Sequence, residues 1–397
     1  MASQPKYAVP AEFADQLAYA PASDTRSDDE ILAAISQHVP VKGEKNVWAY
    51  WHSGLANMPA WTRRNVAAWK RICGDSWTIR VLDSVPESPN NALGFAPVEA
   101  LVKNTMDGEY FGPHSADLLR GALLYCHGGV FLDVGIVLIR SLDRIFWKQL
   151  EDPQSPYRVA TAWMYGITMA NHIVAARKND PFIKRWHGLF VYLWRNKTNH
   201  RGLTEDPLMA FAQTLSFDDS RASMFHWDFK IDARTVFEYI TQVVCWMRLC
   251  MLSKGEGDGF IGTEYWQHDI LVWDVLQEAW GAEDYLGFEG SAKKIFDLLS
   301  VPLDADAETE QYKQAYQLTY RLLTKSSMQK FSRSKGLTHA VGLGQLLDDY
   351  EGRDSAEGTF GGLLRYGAEN FKQFREEIEY RHAPAPPTSL NKGVFEP

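Results

Sequence analysis

Two hydrophobic rhythms alternate through the first half of this chain. Residues 47–51 (VWAYW) form a β-prone run ending in His52-Ser53-Gly54, and residues 77–82 (WTIRVL) form a second, closed by Asp83. Between them Trp61, Val66, Ala68, Trp69 and Ile72 recur at helical spacing, which predicts an amphipathic helix over 58–73. Strand, helix and strand within about 35 residues is the βαβ rhythm of a parallel sheet. A third unit follows. Ser115 is a suitable N-cap for a helix through Tyr125, His127-Gly128-Gly129 ends that helix, and the apolar stretch 130–139 holds two strands. Residues 158–163 predict another strand, and Pro181 opens a helix reaching Trp194. From Asp232 onward the pattern is helical almost throughout, broken at 255–262 (GEGDGFIG) and near Pro302. The first 44 residues, rich in Pro, Ser, Ala and Asp, predict a loosely attached arm with one short helix over 30–37. The expected organisation is an arm (1–44), an α/β core (45–230) and a mainly helical region (231–397).

One position breaks the pattern. Asp133 stands inside the apolar stretch, preceded by Val130, Phe131 and Leu132 and followed by the run from Ile136 to Ile139. An ionised carboxylate there costs several kcal/mol, to order of magnitude (~), unless a cation or hydrogen-bond donors meet it. Ligands of open α/β sheets bind at the carboxyl ends of the strands, and Asp133 follows a strand. Asp117 and Arg120, three residues apart, share one face of the preceding helix. That face reaches Asp133 only if the helix packs back across the sheet. By themselves these residues also fit a surface ion pair and a turn-capping carboxylate.

Composition narrows the field. A net charge of -9 argues against broad attraction to nucleic acid or anionic membrane. The basic run from Lys325 to Lys335 reads first as a solvated helix face. Four cysteines (Cys73, Cys126, Cys245, Cys250) lack metal-finger spacing and fit free, mostly buried thiols of a reducing compartment. No apolar run reaches the roughly 18 residues of a membrane helix, and the N-terminus lacks a signal-peptide pattern, so the expected location is cytoplasmic, with no membrane partner.

Ser115, Asp117, Arg120, Gly128-Gly129 and Asp133 together resemble the core signature of the DXD-type glycosyltransferases. That group includes the initiating α-mannosyltransferases, the capsular polysaccharide synthesis proteins and the clostridial toxin glucosyltransferases. Residues 48–70 (WAYWHSGLANMPAWTRRNVAAWK) and 77–83 (WTIRVLD) resemble their opening strand, helix and second strand. Residues 170–190 (ANHIVAARKNDPFIKRWHGLF) resemble the segment that carries a small-residue loop before a helix. The likeness spans about 47–194. It implies a GT-A fold, Rossmann-like with a mostly parallel sheet and flanking helices, followed by a helix-rich C-terminal half that shapes the acceptor side. It further implies a nucleotide-sugar donor and an acceptor as partners. Asp117 and Arg120 would bind donor sugar and phosphates, Asp133 would contact the ribose and the metal, and Trp48 and Trp51 would lie near the nucleobase.

The likeness fails at one residue. The group carries an acidic metal ligand where this chain has Gly135. The implied cofactor, Mn2+ or Mg2+, offsets the charge of the diphosphate leaving group and prefers oxygen ligands. Without that ligand, three solutions stay open: a metal held by Asp133 with residues elsewhere, cationic side chains in its place, or lost donor chemistry. His268 is the metal-ligand candidate beside Asp133, four residues from Glu264 and next to Asp269; Arg63, Arg64, Arg177 and Lys178 are the candidate cations. For an inverting mechanism no base stands out among Asp206, Glu264 and Asp269. The leading expectation is a glycosyltransferase. A second is a GT-A scaffold reused for another transfer, such as an arginine-containing cyclodipeptide synthase with a tRNA partner on the Lys325–Lys335 run. A third is a non-catalytic nucleotide-binding protein.

Overall fold

The computed structural model describes residues 5–96, 98–102, 106–164, 166–218, 228–288, 290–331 and 336–397. Its labelled elements, in chain order, are β1 (Asn46–Tyr50), α1 (Ala60–Cys73), β2 (Thr78–Leu82), α2 (Phe111–His127), β3 (Gly129–Leu132), β4 (Ile136–Leu138), β5 (Val159–Met164), β6 (Thr168–Ala176), α3 (Pro181–Trp194), α4 (Thr241–Met251), β7 (Ile270–Asp274), α5 (Glu310–Lys325), β8 (Met328–Lys330), α6 (Phe360–Asn370) and β9 (Tyr380–Arg381).

Seven strands form the central sheet in the order β9-β7-β5-β6-β3-β1-β2. Five of them, β1, β2, β3, β5 and β7, run the same way, while β6 and β9 run against them. The sheet is therefore mostly parallel and lies between two helical layers, as expected of an α/β fold. Alternate residues of the strands feed opposite cores. Trp48 and Phe131 pack with α2, α3 and α4. Val47, Ala49, Val130 and Leu132 pack with Val66 and Trp69 of α1 on the other face. Both faces are buried, which is why β1 reads as a continuous apolar run.

Several elements differ from expectation for physical reasons. Helix α2 starts at Phe111, so Ser115 is no N-cap: it is fully buried one turn inside the helix. The segment 170–190, likened to a small-residue loop before a helix, begins instead inside β6 (Thr168–Ala176), an antiparallel strand wedged between β3 and β5, and then enters α3. Its small residues Ala170, Ala175 and Ala176 allow close packing on both faces. The arm is not loosely attached. Its short strand Leu17–Tyr19 pairs with Phe371–Gln373, and Phe13 stacks on Tyr320 of α5 with ring centroids 4.5 Å apart.

The region after 231 is rich in helices, and it also adds β7 and β9 to the central sheet, so strand pairing crosses the expected boundary at 230. Helices α5 and α6 build a third core with Val137 and Ile139. A small second sheet pairs β4 with β8 antiparallel, with Ile136 opposite Lys330. This pairing brings the C-terminal region beside Asp133.

Candidate active site

Helix α2 runs down the sheet, and the Gly128-Gly129 turn sends β3 back up alongside it. Gly129 sits so close to β1 that a Cβ would lie 2.4 Å from the Asn46 carbonyl, which leaves room only for glycine. The result is the arrangement the spacing required: Arg120 reaches Asp133 from the helix. Its Nη2 donates to Asp133 Oδ1 at 3.2 Å. Its Nη1 donates to Asp117 Oδ1 and to Gln242 Oε1, and its guanidinium lies 4.6 Å from the centroid of the Phe131 ring. Two residues not singled out from the sequence complete the group. Asn171 of β6 donates to Asp117 Oδ1 at 3.2 Å and to Gln242 Oε1 at 3.1 Å. Gln242, near the start of α4, donates to the main-chain carbonyl of Asp117. Asn171 stood in the 170–190 segment, where its polarity amid small residues was the available signal. Gln242 lies over 120 residues from Asp117 and gave none.

A second cation meets Asp133. Lys330 Nζ donates to Asp133 Oδ2 at 3.2 Å, so each carboxylate oxygen faces a positive group. The backbone is pinned as well: Asp133 N–H donates to the His172 carbonyl at 3.0 Å, and Asn65 Nδ2 donates to the Val134 carbonyl at 2.8 Å. Arg120 is almost wholly enclosed, with 3% of its side chain exposed, whereas Asp133 keeps 31% and Lys330 23%. The open side of the cluster is therefore the Asp133–Lys330 side.

Burial pushes the Asp117 carboxyl up to about 6, with Arg120 opposing the rise and Asp133 adding to it. Burial, together with Lys330 and Arg120, holds His172 well below the usual imidazole range, so its ring is neutral at pH 7. Burial and the charges of Asp117 and Asp133 raise the Tyr239 phenol, which therefore faces the two carboxylates as a neutral hydroxyl.

Other sequence candidates fall elsewhere. Trp48 is fully buried, and its Nε1 donates to the Gly128 carbonyl at 2.9 Å; it is a core residue and offers no face to a nucleobase. Trp51, half-buried beyond the carboxyl end of β1, sits at the site edge of the sheet, its ring 6.1 Å from that of His52. His268 is exposed and ends the helix Gly262–His268, just before β7 begins. The start of β7 pairs with the start of β5, at the opposite edge of the sheet from Asp133, so His268 cannot join Asp133 around one ion. Glu264 and Asp269 share that far edge. Arg177, past the end of antiparallel β6, is there too and pairs with Glu44 at 2.9 Å; the Lys178 N–H donates to the same carboxylate. Arg64 is committed to Asp354. Arg63 makes no ion pair among the described residues, and Asp206 pairs with Arg195 at 3.3 Å. In the run 325–335, Lys330 is committed to Asp133 and residues 332–335 lie outside the described residues.

The residues present do not fit a divalent cation at the position the resemblance implies. A Cβ on Gly135 would stand 2.7 Å from the Phe331 carbonyl oxygen, so no acidic side chain has room there. Both oxygens of Asp133 already face cations. No group of three or more His, Cys, Asp or Glu side chains among the described residues is placed to hold a metal.

Residues 25–201 match the capsular polysaccharide synthesis protein family. The chain is 48% identical to the probable glycosyltransferase FCK3 of Fusarium pseudograminearum, over 98% of this chain and 99% of that one. The chain belongs to this glycosyltransferase family. Two further relatives are the O-glycosyltransferase PaGT of Phomopsis amygdali, 35% identical over 94% of both chains, and the O-glycosyltransferase braB of Annulohypoxylon truncatum, 34% identical over 94% of this chain and 91% of that one. The glycosyltransferase assignment spans the whole chain, including α5, β8 and α6, where the sequence resemblance had stopped. A tRNA-dependent transfer finds no support in these relatives. No helix among the described residues is long and apolar enough to cross a membrane.

Proposed function

We propose that this glycosyltransferase moves a sugar from a nucleoside diphosphate donor to a hydroxyl of its acceptor, with the donor held at the Asp117–Arg120–Asp133 cluster. The observation that carries the reading is the convergence on Asp133 of α2 and the C-terminal end of β3, the strand end where α/β sheets take ligands. Arg120 is fixed by Asp117 and Gln242, so a rigid guanidinium stands ready behind Asp133. Asp117 and Asp133 offer carboxylate acceptors to sugar and ribose hydroxyls. Trp51 supplies an aromatic surface at the same sheet edge for the nucleobase. The names of two relatives as O-glycosyltransferases support a hydroxyl acceptor here.

Calorimetric titration with UDP- and GDP-sugars tests the reading. The wild-type chain should bind one donor class, and R120K and D133N should each weaken that binding at least about tenfold while keeping the wild-type circular dichroism. Absence of binding by every donor, or undiminished binding in both variants, would overturn it.

A further inference from the structure

We propose that the Lys330 ammonium takes the place of the divalent cation, neutralising the donor diphosphate as it leaves; the inference rests on the donor reading above. Three observations carry it. The position for an acidic metal ligand is closed by the residue that follows β8: Phe331 N–H donates to the Gly135 carbonyl at 2.8 Å, and the Phe331 carbonyl oxygen occupies the space a Cβ would need. The same strand delivers Lys330, opposite Ile136, with its ammonium 3.2 Å from Asp133 Oδ2. Gly135 and Lys330 are thus two sides of one packing arrangement, in which the strand that excludes a carboxylate also brings in a cation.

Exposure separates the two positive groups. Arg120 is sealed behind Asp133, while Lys330 and Asp133 keep open surface through which a diphosphate could approach. Lys330 is long enough and flexible enough to pass from the Asp133 carboxylate to a phosphate oxygen as a point charge with three donors. The cluster's two cations and two carboxylates balance one another, so an arriving diphosphate competes with Asp133 for the Lys330 ammonium. In the reaction, the bond between the anomeric carbon and the phosphate oxygen breaks and its electron pair departs with the nucleoside diphosphate. The acceptor oxygen bonds to the anomeric carbon, and its hydroxyl proton is released to solvent. Lys330 acts on the departing phosphate, where charge grows most in the transition state.

The test uses the full chain, with the donor class identified by calorimetry, and measures nucleoside diphosphate release and the binding of UDP and GDP, each with EDTA and with added Mn2+. The expected result is wild-type turnover and diphosphate binding that change less than about twofold with chelation. K330M should lose about 100- to 1,000-fold in turnover, of the size seen when one charge-stabilising donor is removed. K330R, folded by its thermal melt, should recover part of that loss, and K330M should lose more affinity for the diphosphate than for the nucleoside alone. Turnover abolished by EDTA and restored by Mn2+ would overturn the proposal, as would full turnover in K330M. If neither UDP nor GDP nor any donor binds the wild-type chain, the donor reading falls and this proposal falls with it. Donor binding with chelator-sensitive turnover sinks only the role of Lys330.

Discussion

Substituting Gly135 by alanine measures how firmly β8 closes the site. Gly135 does not have a left-handed backbone, so its lack of a side chain reflects space alone. The added Cβ would meet the Phe331 carbonyl oxygen at 2.7 Å and Trp61 Cη2 at 3.6 Å. The oxygen belongs to the backbone and cannot swing aside, so β8 must retreat by some tenths of an ångström. That retreat stretches the bond from Phe331 N–H to the Gly135 carbonyl, now 2.8 Å. Losing one such hydrogen bond costs about 1 kcal/mol. Overpacking a buried contact costs about 1–3 kcal/mol. The sum is about 2–4 kcal/mol. A chain of 397 residues unfolds with an entropy of about 0.8 kcal/mol per kelvin, so the melting temperature should fall by about 2–5 °C. Calorimetric melts of the wild type and G135A at neutral pH check this, and a shift below about 1 °C would refute the steric account. G135D meets the same obstacle and adds a charge beside Asp133. It should melt at least as low as G135A and gain no turnover from Mn2+. Manganese-stimulated turnover in G135D would mean that β8 yields readily, contrary to the packing described.

Three further outcomes are expected. Asp117 must be ionised to hold Arg120, and its carboxyl titrates at about 6, so donor affinity should fall as pH drops through that value and D117N should lack this dependence; a flat profile in the wild type between about pH 5 and 8 would refute it. Asp354 is buried, yet Arg365 and Arg64 outweigh that burial and hold its carboxyl below the usual range, so its stabilisation is present above the ordinary carboxylate pKa and lost as pH falls through the lowered one. D354N should cost about 3–5 kcal/mol in urea unfolding at pH 7, and a loss under about 1 kcal/mol would contradict the buried network. W48F should lower the melting temperature and leave donor affinity unchanged, whereas W51A should weaken donor binding about three- to tenfold with little effect on stability; the reverse pattern in calorimetry and melts would show the two tryptophans misassigned.

Much of the α/β core was legible because its signals are local. The runs at 47–51 and 77–82 with a helix between them are β1, α1 and β2, and the break at Asp133 does mark the end of β3. The misreadings also have local causes. Ser115 has the chemistry of an N-cap but sits where α2 packs tightly, and a small buried hydroxyl serves there equally well. The stretch 168–176 has three branched residues, Thr168, Ile173 and Val174, but interleaves them with alanines and Asn171 because it is squeezed between neighbours on both sides, which weakens its strand signal. Trp48 and Trp51 look alike in sequence. Where β1 is buried on both faces, alternation does not say that Trp48 belongs to the core while Trp51, just past the strand, lies at the site edge.

The site was legible only where its residues are close in sequence. Asp117, Arg120 and Asp133 lie within 17 residues, on a helix and a strand joined by one turn, so their spacing foretold their meeting. Lys330 is 197 residues from Asp133 and arrives by strand pairing, which no local spacing encodes. The C-terminal region also fixes the backbone of the site at a distance. Arg365 and Arg64 share the carboxylate of Asp354, Arg365 donates to the Asn65 side-chain oxygen, and Asn65 holds the carbonyl of Val134, the residue between Asp133 and Gly135. A region expected to shape only the acceptor side therefore places a cation on Asp133 through β8 and holds the neighbouring peptide through α6. The vacancy at Gly135, read alone, suggests a weakened site. With β8 in place it is the condition for Lys330 to stand where it does, because a side chain at 135 would push that strand, and the lysine with it, away from Asp133.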